Sequence, residues 1–377
     1  MKTDHSITRF RTGLGASQRL FHSETSATIA FLGGSITEMN GYTAFVEEDF
    51  RRNFPRCQFS FINAGISSTC SNTGAFRLSN DILSKGKIDL LFVEFAVNDN
   101  QDGQREYLQP EEPLHCSMEG IVRQALLHNP QMDIVFLYTI NESHLADYQS
   151  GKIPRVIAAH EKVAQYYGLP SLNFAQEVAR RIRAGEFDWS TFGGVHPAPF
   201  GNRIYADCIA AAFSVHSPKP HPCLDLATLP LLDPNSLIHA RLASPGRASF
   251  SSPWKLDIPD WQPLPGEKRE RFCQLPTLHA NTPGAEFSLT FFGNAIGLYL
   301  TAGPDAGMLE FFIDNTTWQN CDLYHFYSKN LHYPYTKMLA QTLPEGQHQI
   351  RIRIAKERNP ASCGHAVRIM NFALNEP

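Results

Sequence analysis

Residues 27–37 read Ala-Thr-Ile-Ala-Phe-Leu-Gly-Gly-Ser-Ile-Thr, a largely apolar run that ends in two glycines and a serine. The apolar part, Ala27–Leu32, has the length and composition of a buried strand. A helical pattern with one apolar face follows at about 42–53. The order strand, Gly-Gly-Ser, helix therefore predicts that Ser35 lies exposed at a strand-to-helix turn.

The same alternation of short apolar runs and helical windows continues to residue 213. The runs are Ala27–Leu32, Phe59–Asn63, Ile88–Val97, Asp133–Tyr138 and the weaker Leu169–Asn173, and the windows lie near 42–53, 74–84, 117–128, 155–167 and 174–184. Such alternation predicts a parallel sheet with helices on both faces, a three-layer α/β/α domain. Ligands of these sheets bind at the carboxyl ends of the strands.

From Glu286 onward the apolar period changes to two, and turn residues separate the runs. The alternating positions are Phe287, Leu289, Phe291, Ile296, Leu298, Leu300, Ile350, Ile352, Ile354, Val367, Ile369 and, continuing the last run, Asn371. Short alternating runs of this kind are typical of an antiparallel β-sandwich or jelly roll. We therefore expect an all-β domain at the carboxyl end.

A proline-rich segment separates the two patterns, because 12 of the 25 prolines fall between Pro218 and Pro283. Proline is incompatible with a long helix or a central strand, and a flexible tether would be rich in Gly and Ser. We therefore expect residues 1–215 to form the α/β/α domain, with its core at 27–213. Residues 216–284 are then an ordered connection that wraps one domain, and 285–377 are the sandwich.

Composition argues against several classes of protein. Lys and Arg number 33 and Asp and Glu 37, a net charge of −4, and no basic block occurs. A nucleic acid or an anionic membrane is therefore not the expected partner. No apolar run is long enough to span a bilayer and the amino terminus lacks the apolar core of a signal peptide, so we expect a cytoplasmic protein. The eight cysteines include no Cys-x-x-Cys pair, so we expect reduced thiols and no structural zinc.

Four short fragments place polar residues where a site would form. They are Gly33-Gly34-Ser35-Ile36-Thr37, Asn63-Ala64-Gly65, Ala96-Val97-Asn98-Asp99 and Gly193-Gly194-Val195-His196-Pro197. Backbone N–H groups at the start of the helix after Ser35 favour a developing oxyanion. Gly65 would let its bare N–H approach a substrate oxygen, and Asn98 offers a side-chain amide donor. His196 could accept the serine proton.

In this order the fragments resemble the SGNH (GDSL-type) hydrolase superfamily over about residues 27–213. The resemblance implies that Ser35 is the nucleophile and that His196 is the base. It implies that the oxyanion hole consists of the Ser35 N–H, the Gly65 N–H and the Asn98 amide. Ester hydrolysis would then pass through an acyl-enzyme, with no metal and no cofactor.

Two positions differ from the family pattern, and the implied reaction does not depend on them. Gly34 stands where an aspartate is usual, and that aspartate is not a member of the triad. Ala96 stands where the third fragment usually has a glycine. Neither change removes a group that the reaction needs.

A third difference affects the base. The family's acid lies three residues before the histidine, and here that position is Gly193, so His196 lacks its expected carboxylate. A main-chain carbonyl near Gly193 or Phe192 could accept the imidazole N–H instead. Asp188, our tentative acid, or Glu186 could fold back to it. As a third possibility, the site is weakened.

These features predict a serine esterase that hydrolyses short acyl esters, above all acetyl esters, on a carbohydrate. The sandwich loosely resembles the jelly rolls attached to carbohydrate esterases, and the expected partner is a small-molecule or oligosaccharide ester. One alternative is a lipid or thioester hydrolase of the same fold. Another is a non-catalytic glycan-binding protein that has lost its triad acid. The sequence leaves open the sugar, the acyl position, the role of the sandwich and the oligomeric state.

Overall fold

The computed structural model describes residues 7–11, 13–23, 25–99, 114–215, 224–314 and 316–377. Within these ranges the chain divides into two compact units. The first extends to Ile238, and the second comprises His239–Pro377. No helix in the described ranges is long and apolar enough to cross a membrane.

The first unit is built on a sheet with strand order β1-β6-β5-β4-β2-β3. Its strands are β1 (Thr8–Arg9), β2 (Ser26–Gly33), β3 (Gln58–Gly65), β4 (Leu90–Glu94), β5 (Asp133–Leu137) and β6 (Ser171–Leu172). Its α-helices are α1 (Gly15–Phe21), α2 (Ser35–Glu38), α3 (Tyr42–Asn53), α4 (Ser71–Asp81), α5 (Ala96–Asp99), α6 (Leu114–His128), α7 (Glu142–Gln149), α8 (Arg155–Tyr166), α9 (Phe174–Arg183), α10 (Trp189–Phe192) and α11 (Pro199–Ser214). Strands β2 to β6 pair in parallel, and β1 runs antiparallel to β6.

The strand order reverses at β2, which lies between β3 and β4. The connection through α3 leads from β2 to β3, and the connection through α4 leads back past β2 to β4. Because such crossovers are right-handed, α3 and α4 lie on opposite faces of the sheet. This reversal opens a crevice at the carboxyl end of β2, where ligands bind in open α/β sheets. Ser35 follows that end directly.

The predicted α/β/α architecture is confirmed, and two of its local differences from the prediction concern the site. The apolar run Ile88–Val97 is not all strand: β4 ends at Glu94, and the helical turn α5 follows, closed by a bond from the Asp99 N–H to the Phe95 carbonyl at 2.9 Å. Helix α11 lay outside the predicted windows, although Pro199 at its first turn is a helix-start signal. Both differences fall beside predicted site residues.

The second unit contains two antiparallel sheets, with strand orders β15-β12-β17-β10-β9 and β14-β13-β16-β11-β8, and with β7 paired to β17. Its strands are β7 (Ala240–Ala243), β8 (Ser249–Phe250), β9 (Lys255–Asp257), β10 (Thr277–Ala280), β11 (Glu286–Gly293), β12 (Ala295–Ala302), β13 (Met308–Ile313), β14 (Gln319–Asp322), β15 (Tyr333–Ala340), β16 (Gly346–Ile354) and β17 (Val367–Asn375), and its helix is α12 (Glu270–Cys273). The predicted all-β unit is therefore confirmed.

The alternating residues predicted for the sandwich meet in one apolar core, with one exception. In the ladder between β12 and β17, Leu300 pairs with Ile369, but the residue before it, Tyr299, pairs with Asn371. Met370 is therefore an extra residue in β17, which makes a β-bulge. A bulge reverses which side chains face the core. Phe372 and Leu374 therefore point into the core, and Asn371 is half-buried and hydrogen-bonds to the Ala243 carbonyl.

The proline-rich segment differs from the prediction. Residues 216–223 lie outside the described ranges, and 224–238 belong to the first unit. The remainder is not a connection, because β7, β8, β9 and β10 pair into the sheets of the second unit. None of these four strands contains a proline, so each keeps the N–H groups that its ladder needs. The boundary between the units therefore falls after Ile238, not at residue 215 or 284.

The piece 224–238 docks on α6 through its backbone. Arg123 donates to three of its carbonyls, and the fully buried Glu119 accepts from two of its N–H groups. The carbonyls are those of Leu226, Leu229 and Pro230, at 3.0, 2.6 and 2.6 Å, and the N–H groups are those of Leu232 and Asp233, at 2.7 and 3.2 Å. These side chains satisfy backbone groups that a proline-rich piece cannot pair in secondary structure.

Candidate active site

Ser35 lies at the turn between β2 and α2, with its side chain half-buried. The strand register places Gly33 beside Gly65 on β3 and beside Glu94 on β4. A Cβ at residue 33 would lie 2.2 Å from the Thr37 hydroxyl oxygen, so the tight turn needs glycine there. The close packing beneath this turn leaves Ser35 at the carboxyl edge of the sheet.

His196 reaches Ser35 from the loop between α10 and α11. Its Nε2 lies 2.8 Å from the Ser35 Oγ, although the two residues are 161 positions apart. Gly193 and Gly194 at the start of the loop have φ values of +98° and +73°, a region that favours glycine. Buried Asn202 fixes the end of the loop, because its Nδ2 donates to the Pro197 carbonyl at 2.7 Å. The structure therefore brings the predicted nucleophile and base together.

Neither replacement for the missing acid forms in the structure. No described residue accepts a hydrogen bond from the Nδ1 of His196, an exposed side chain. The Phe192 carbonyl accepts instead from the Ala198 N–H at 2.7 Å. Asp188 caps α10 by accepting from the Thr191 N–H at 2.6 Å, and this bond lowers the pKa of its carboxyl group. Glu186 lies 3.9 Å from a nitrogen of Arg181.

The geometry leads to a prediction for Asp188. Asp188→Asn should leave kcat/KM within about twofold of the wild type, because asparagine caps helices as well as aspartate and the site loses no partner. Steady-state kinetics on a model ester would check this. Loss of a triad aspartate costs about 10⁴-fold in a serine protease, so a fall of that size with an intact fold would make Asp188 the orienting acid.

Asn98 lies against the turn that carries the nucleophile. A Cβ at Gly34 would meet the Asn98 Oδ1 at 2.2 Å, so the space that an aspartate side chain would need holds the asparagine amide. The α5 turn is anchored by Asp99, whose carboxylate accepts from the Ser71 N–H at 2.8 Å and lies 3.0 Å from the His160 Nε2. Within the described chain, the buried Oδ1 of Asn98 has no partner. Gly34 therefore packs directly against the Asn98 amide, a contact that the sequence did not indicate.

A substitution at Gly34 tests this packing. Gly34→Ala should lower kcat by about 10²–10³-fold, because an added Cβ displaces the amide that we expect to hold the oxyanion, and loss of one such donor costs this much. Asn98→Ala should give a similar loss, and the double variant should be no slower than the worse single variant. Additive losses would show that Gly34 acts independently of Asn98.

Gly65 is required for packing at the end of β3. A Cβ there would lie 2.3 Å from the Glu38 backbone nitrogen, and backbone cannot move aside as a side chain can. The Gly65 N–H donates to the Asn63 Oδ1 at 2.9 Å, and the Asn63 Nδ2 donates to the Thr37 carbonyl at 2.7 Å. A substrate oxyanion would have to share this N–H with the Asn63 Oδ1 or displace that oxygen from it. The role of Gly65 as a donor therefore remains a prediction.

One group of side chains has donors suited to a metal ion. His115, Cys116 and Asp233 place their ligand atoms within 4.8 Å of one another. The His115 Nε2 lies 3.1 Å from an Asp233 oxygen, and burial, together with the Asp233 charge, raises the pKa of the Cys116 thiol to about 12. These contacts join α6 to the piece 224–238. Sequence spacing did not reveal the group because Asp233 is remote in the chain.

Comparisons with known proteins agree with this fold. Residues 31–204 match the model of the GDSL-like Lipase/Acylhydrolase family. A search of curated protein sequences gave no match. The crystal structure of a two-domain esterase (CEX) active on acetylated mannans, co-crystallised with mannopentaose, superposes with a TM-score of 0.75 at 19% identity, over 96% of this chain and 94% of that chain.

A second crystal structure of a two-domain esterase (CEX) active on acetylated mannans gives a TM-score of 0.73 at 19% identity, over 95% and 93% of the two chains. At this identity the likeness concerns the fold, and it includes both units. The family match covers the segment that carries Ser35, Asn98 and His196. The match to the GDSL-like Lipase/Acylhydrolase family therefore concerns residues 31–204 and supports a carboxylic ester hydrolase.

Proposed function

We propose that the chain is a serine esterase that removes acetyl groups from a carbohydrate through an acyl-enzyme. The observation that carries the proposal is the 2.8 Å contact between the His196 Nε2 and the Ser35 Oγ. At this distance the imidazole can accept the hydroxyl proton as the oxygen attacks.

The reaction would proceed in two steps. In the first, Ser35 Oγ attacks the ester carbonyl carbon while its proton moves to His196 Nε2, and the carbonyl oxygen becomes an oxyanion. Collapse of this intermediate breaks the ester bond, and the sugar oxygen leaves with the proton from Nε2. In the second, water attacks the acetyl-serine by the same route and releases acetate.

His196 would act in this scheme without a carboxylate partner. Nε2 can accept a proton only when the neutral ring carries its hydrogen on Nδ1. Because the His196 side chain is exposed, water can bond to that Nδ1–H. The imidazolium formed on proton transfer is then stabilised by solvent, and less strongly than beside a buried carboxylate.

In the proposed reaction, two donors would hold the oxyanion. The Ser35 N–H opens α2, and no described residue accepts a hydrogen bond from it. The Asn98 amide lies against Gly34, one residue before the nucleophile. Donors that are already oriented before the reaction stabilise developing charge at no further reorganisation cost.

A polar groove beside α2 supports a carbohydrate rather than a lipid substrate. It has a volume of about 430 Å³. Met39 and Ala44 line it together with seven residues whose side chains bond to hydroxyls: Glu38, Asn40, Thr43, Glu47, Glu48, Arg51 and Asn63. A long acyl chain would need an apolar channel instead. The shared fold with an esterase active on acetylated mannans points to the same class of substrate.

The test compares three esters with the full chain and with Ser35→Ala as the control. We expect acetate release from acetylated manno-oligosaccharide and hydrolysis of p-nitrophenyl acetate, with p-nitrophenyl laurate a far poorer substrate. Faster turnover of the laurate would favour the lipid or thioester hydrolase. Binding of manno-oligosaccharide with no turnover of any ester would favour the non-catalytic protein.

A further inference from the structure

A fully buried carboxyl group lies beneath the nucleophile turn. Glu94, the last residue of β4, has no exposed surface. Its Oε2 accepts from the Thr37 hydroxyl at 3.0 Å, and its Oε1 accepts from the Thr139 hydroxyl at 2.6 Å. The Gly34 backbone N–H faces the same carboxyl group and acts to lower its pKa. The carboxyl group thus holds the chain on both sides of Ser35.

Burial of the Glu94 carboxyl group lowers the stability of the fold. Burial raises the pKa of Glu94, and its bonds to Thr139, Thr37 and Gly34 act in the opposite direction. A buried carboxyl group is tolerated only when hydrogen bonds replace its water. An apolar side chain of similar volume would fill the same space without that cost. Stability alone therefore does not account for a glutamate at this position.

The hydrogen bonds continue from Glu94 to the loop that carries the base. The buried Tyr42 hydroxyl lies 3.0 Å from the Thr37 Oγ1. The Tyr42 N–H donates to the Asn202 Oδ1 at 2.9 Å, and the Asn202 Nδ2 donates to the Pro197 carbonyl at 2.7 Å. Pro197 is the residue after His196. One buried network therefore reaches both members of the proposed dyad.

The oxyanion donor is tied to the same place. Asn98 lies four residues after Glu94, and its amide packs on Gly34, whose N–H faces the Glu94 carboxyl group. The Glu94 main chain also supports the turn, since a Cβ at Gly33 would lie 2.8 Å from the Glu94 carbonyl oxygen. A shift of this carboxyl group would move the Ser35 turn relative to both His196 and Asn98.

We propose that Glu94 is a positioning residue for the hydrolase: through Gly34, Thr37 and the Tyr42–Asn202 link, it sets the distance between Ser35 and His196. It does not touch the substrate. The inference rests on the proposed function, because it takes Ser35 as the nucleophile. A displacement of about 1 Å at a reacting group can cost about 10²-fold in rate.

The test removes single hydroxyls from the network and keeps side-chain shape. Thr37→Val and Thr139→Val each delete one bond to Glu94, whereas Thr37→Ser and Thr139→Ser keep it. For each variant, kcat and KM are measured with p-nitrophenyl acetate, together with the rate of covalent labelling by a fluorophosphonate and the melting temperature. We expect the valine variants to lose about 10- to 100-fold in kcat and labelling rate with KM nearly unchanged. The serine variants should recover most of both rates.

Glu94→Gln and a matched control complete the experiment. Glu177 on α9 is an equally buried carboxyl group, bonded to Arg180 and Arg181. Glu177→Gln should lower the melting temperature and leave kcat unchanged, whereas Glu94→Gln should lower kcat. If Thr37→Val does not fold, Thr139→Val and Glu94→Gln decide the question.

The results separate this inference from the proposed function. Folded valine and Glu94→Gln variants with wild-type kcat and labelling rate would overturn the role of Glu94 and leave the esterase standing. Equal kcat losses in Glu177→Gln and Glu94→Gln would also overturn it, because the effect would then follow from lost stability. A wild-type protein that neither hydrolyses the ester nor reacts with the fluorophosphonate would overturn both proposals.

Discussion

Ser35→Ala is expected to lower turnover of p-nitrophenyl acetate by about 10⁴-fold or more, since loss of the nucleophile in a serine protease costs about 10⁶-fold. The melting temperature should hardly change, because the half-buried hydroxyl makes its contact with an exposed histidine. Steady-state kinetics on the purified variant measures the loss.

Ser143→Ala is a matched control for this experiment. Ser143 is an exposed serine on α7 whose hydroxyl bonds to the Asn141 side chain. The control should keep wild-type activity. If Ser35→Ala retained more than about a hundredth of the activity, well above what a lost nucleophile leaves, Ser35 would not be the nucleophile.

His196→Ala should produce a loss of similar size, because in the proposed reaction the base and the nucleophile act as one unit. Combining it with Ser35→Ala should slow the enzyme no further than Ser35→Ala alone, as for other catalytic groups that work together. His128→Ala, at an exposed histidine on α6, is the matched control and should be fully active. Multiplied losses in the double variant would show that the two residues act separately.

The grouping of Ser35, Gly65 and Asn98 could be anticipated from sequence because each lies at or just after the end of a strand. The carboxyl ends of parallel strands meet at one edge of the sheet, so short motifs at these ends suffice. His196 lies in a loop between two helices, and its pairing with Ser35 was expected from the resemblance to the SGNH hydrolases. The partner of the His196 Nδ1 could not be obtained in this way. Asp188 is near in sequence, but its carboxylate satisfies the N–H groups at the start of α10.

The sequence also did not predict the hydrogen-bonded side chains that support the nucleophile turn. The Glu94 network joins residues of α2, α3, α11, β4 and the stretch after β5, and no spacing along the chain encodes it. Glu94 did give one signal, a carboxylate inside an apolar run, which is unusual for a buried strand. Asn98 and Gly34 likewise meet through tertiary packing.

The boundary between the units was misplaced for a related reason. Strands β8 and β9 are so short that a period of two cannot be seen in them, and prolines surround them. Prolines between strands are compatible with a sheet, whereas prolines within its ladders are not. Composition averaged over 216–284 therefore suggested a connection where the structure has edge strands and a piece of the first unit.

The most direct test of the account is to trap the acyl-enzyme. The wild-type protein is mixed with p-nitrophenyl acetate, quenched in acid during turnover, digested and analysed by mass spectrometry. We predict one acetyl group per chain on the peptide that contains Ser35, and none on that peptide in Ser35→Ala. An acetyl group on a different residue, or an unmodified Ser35 peptide while p-nitrophenol is released, would contradict the account.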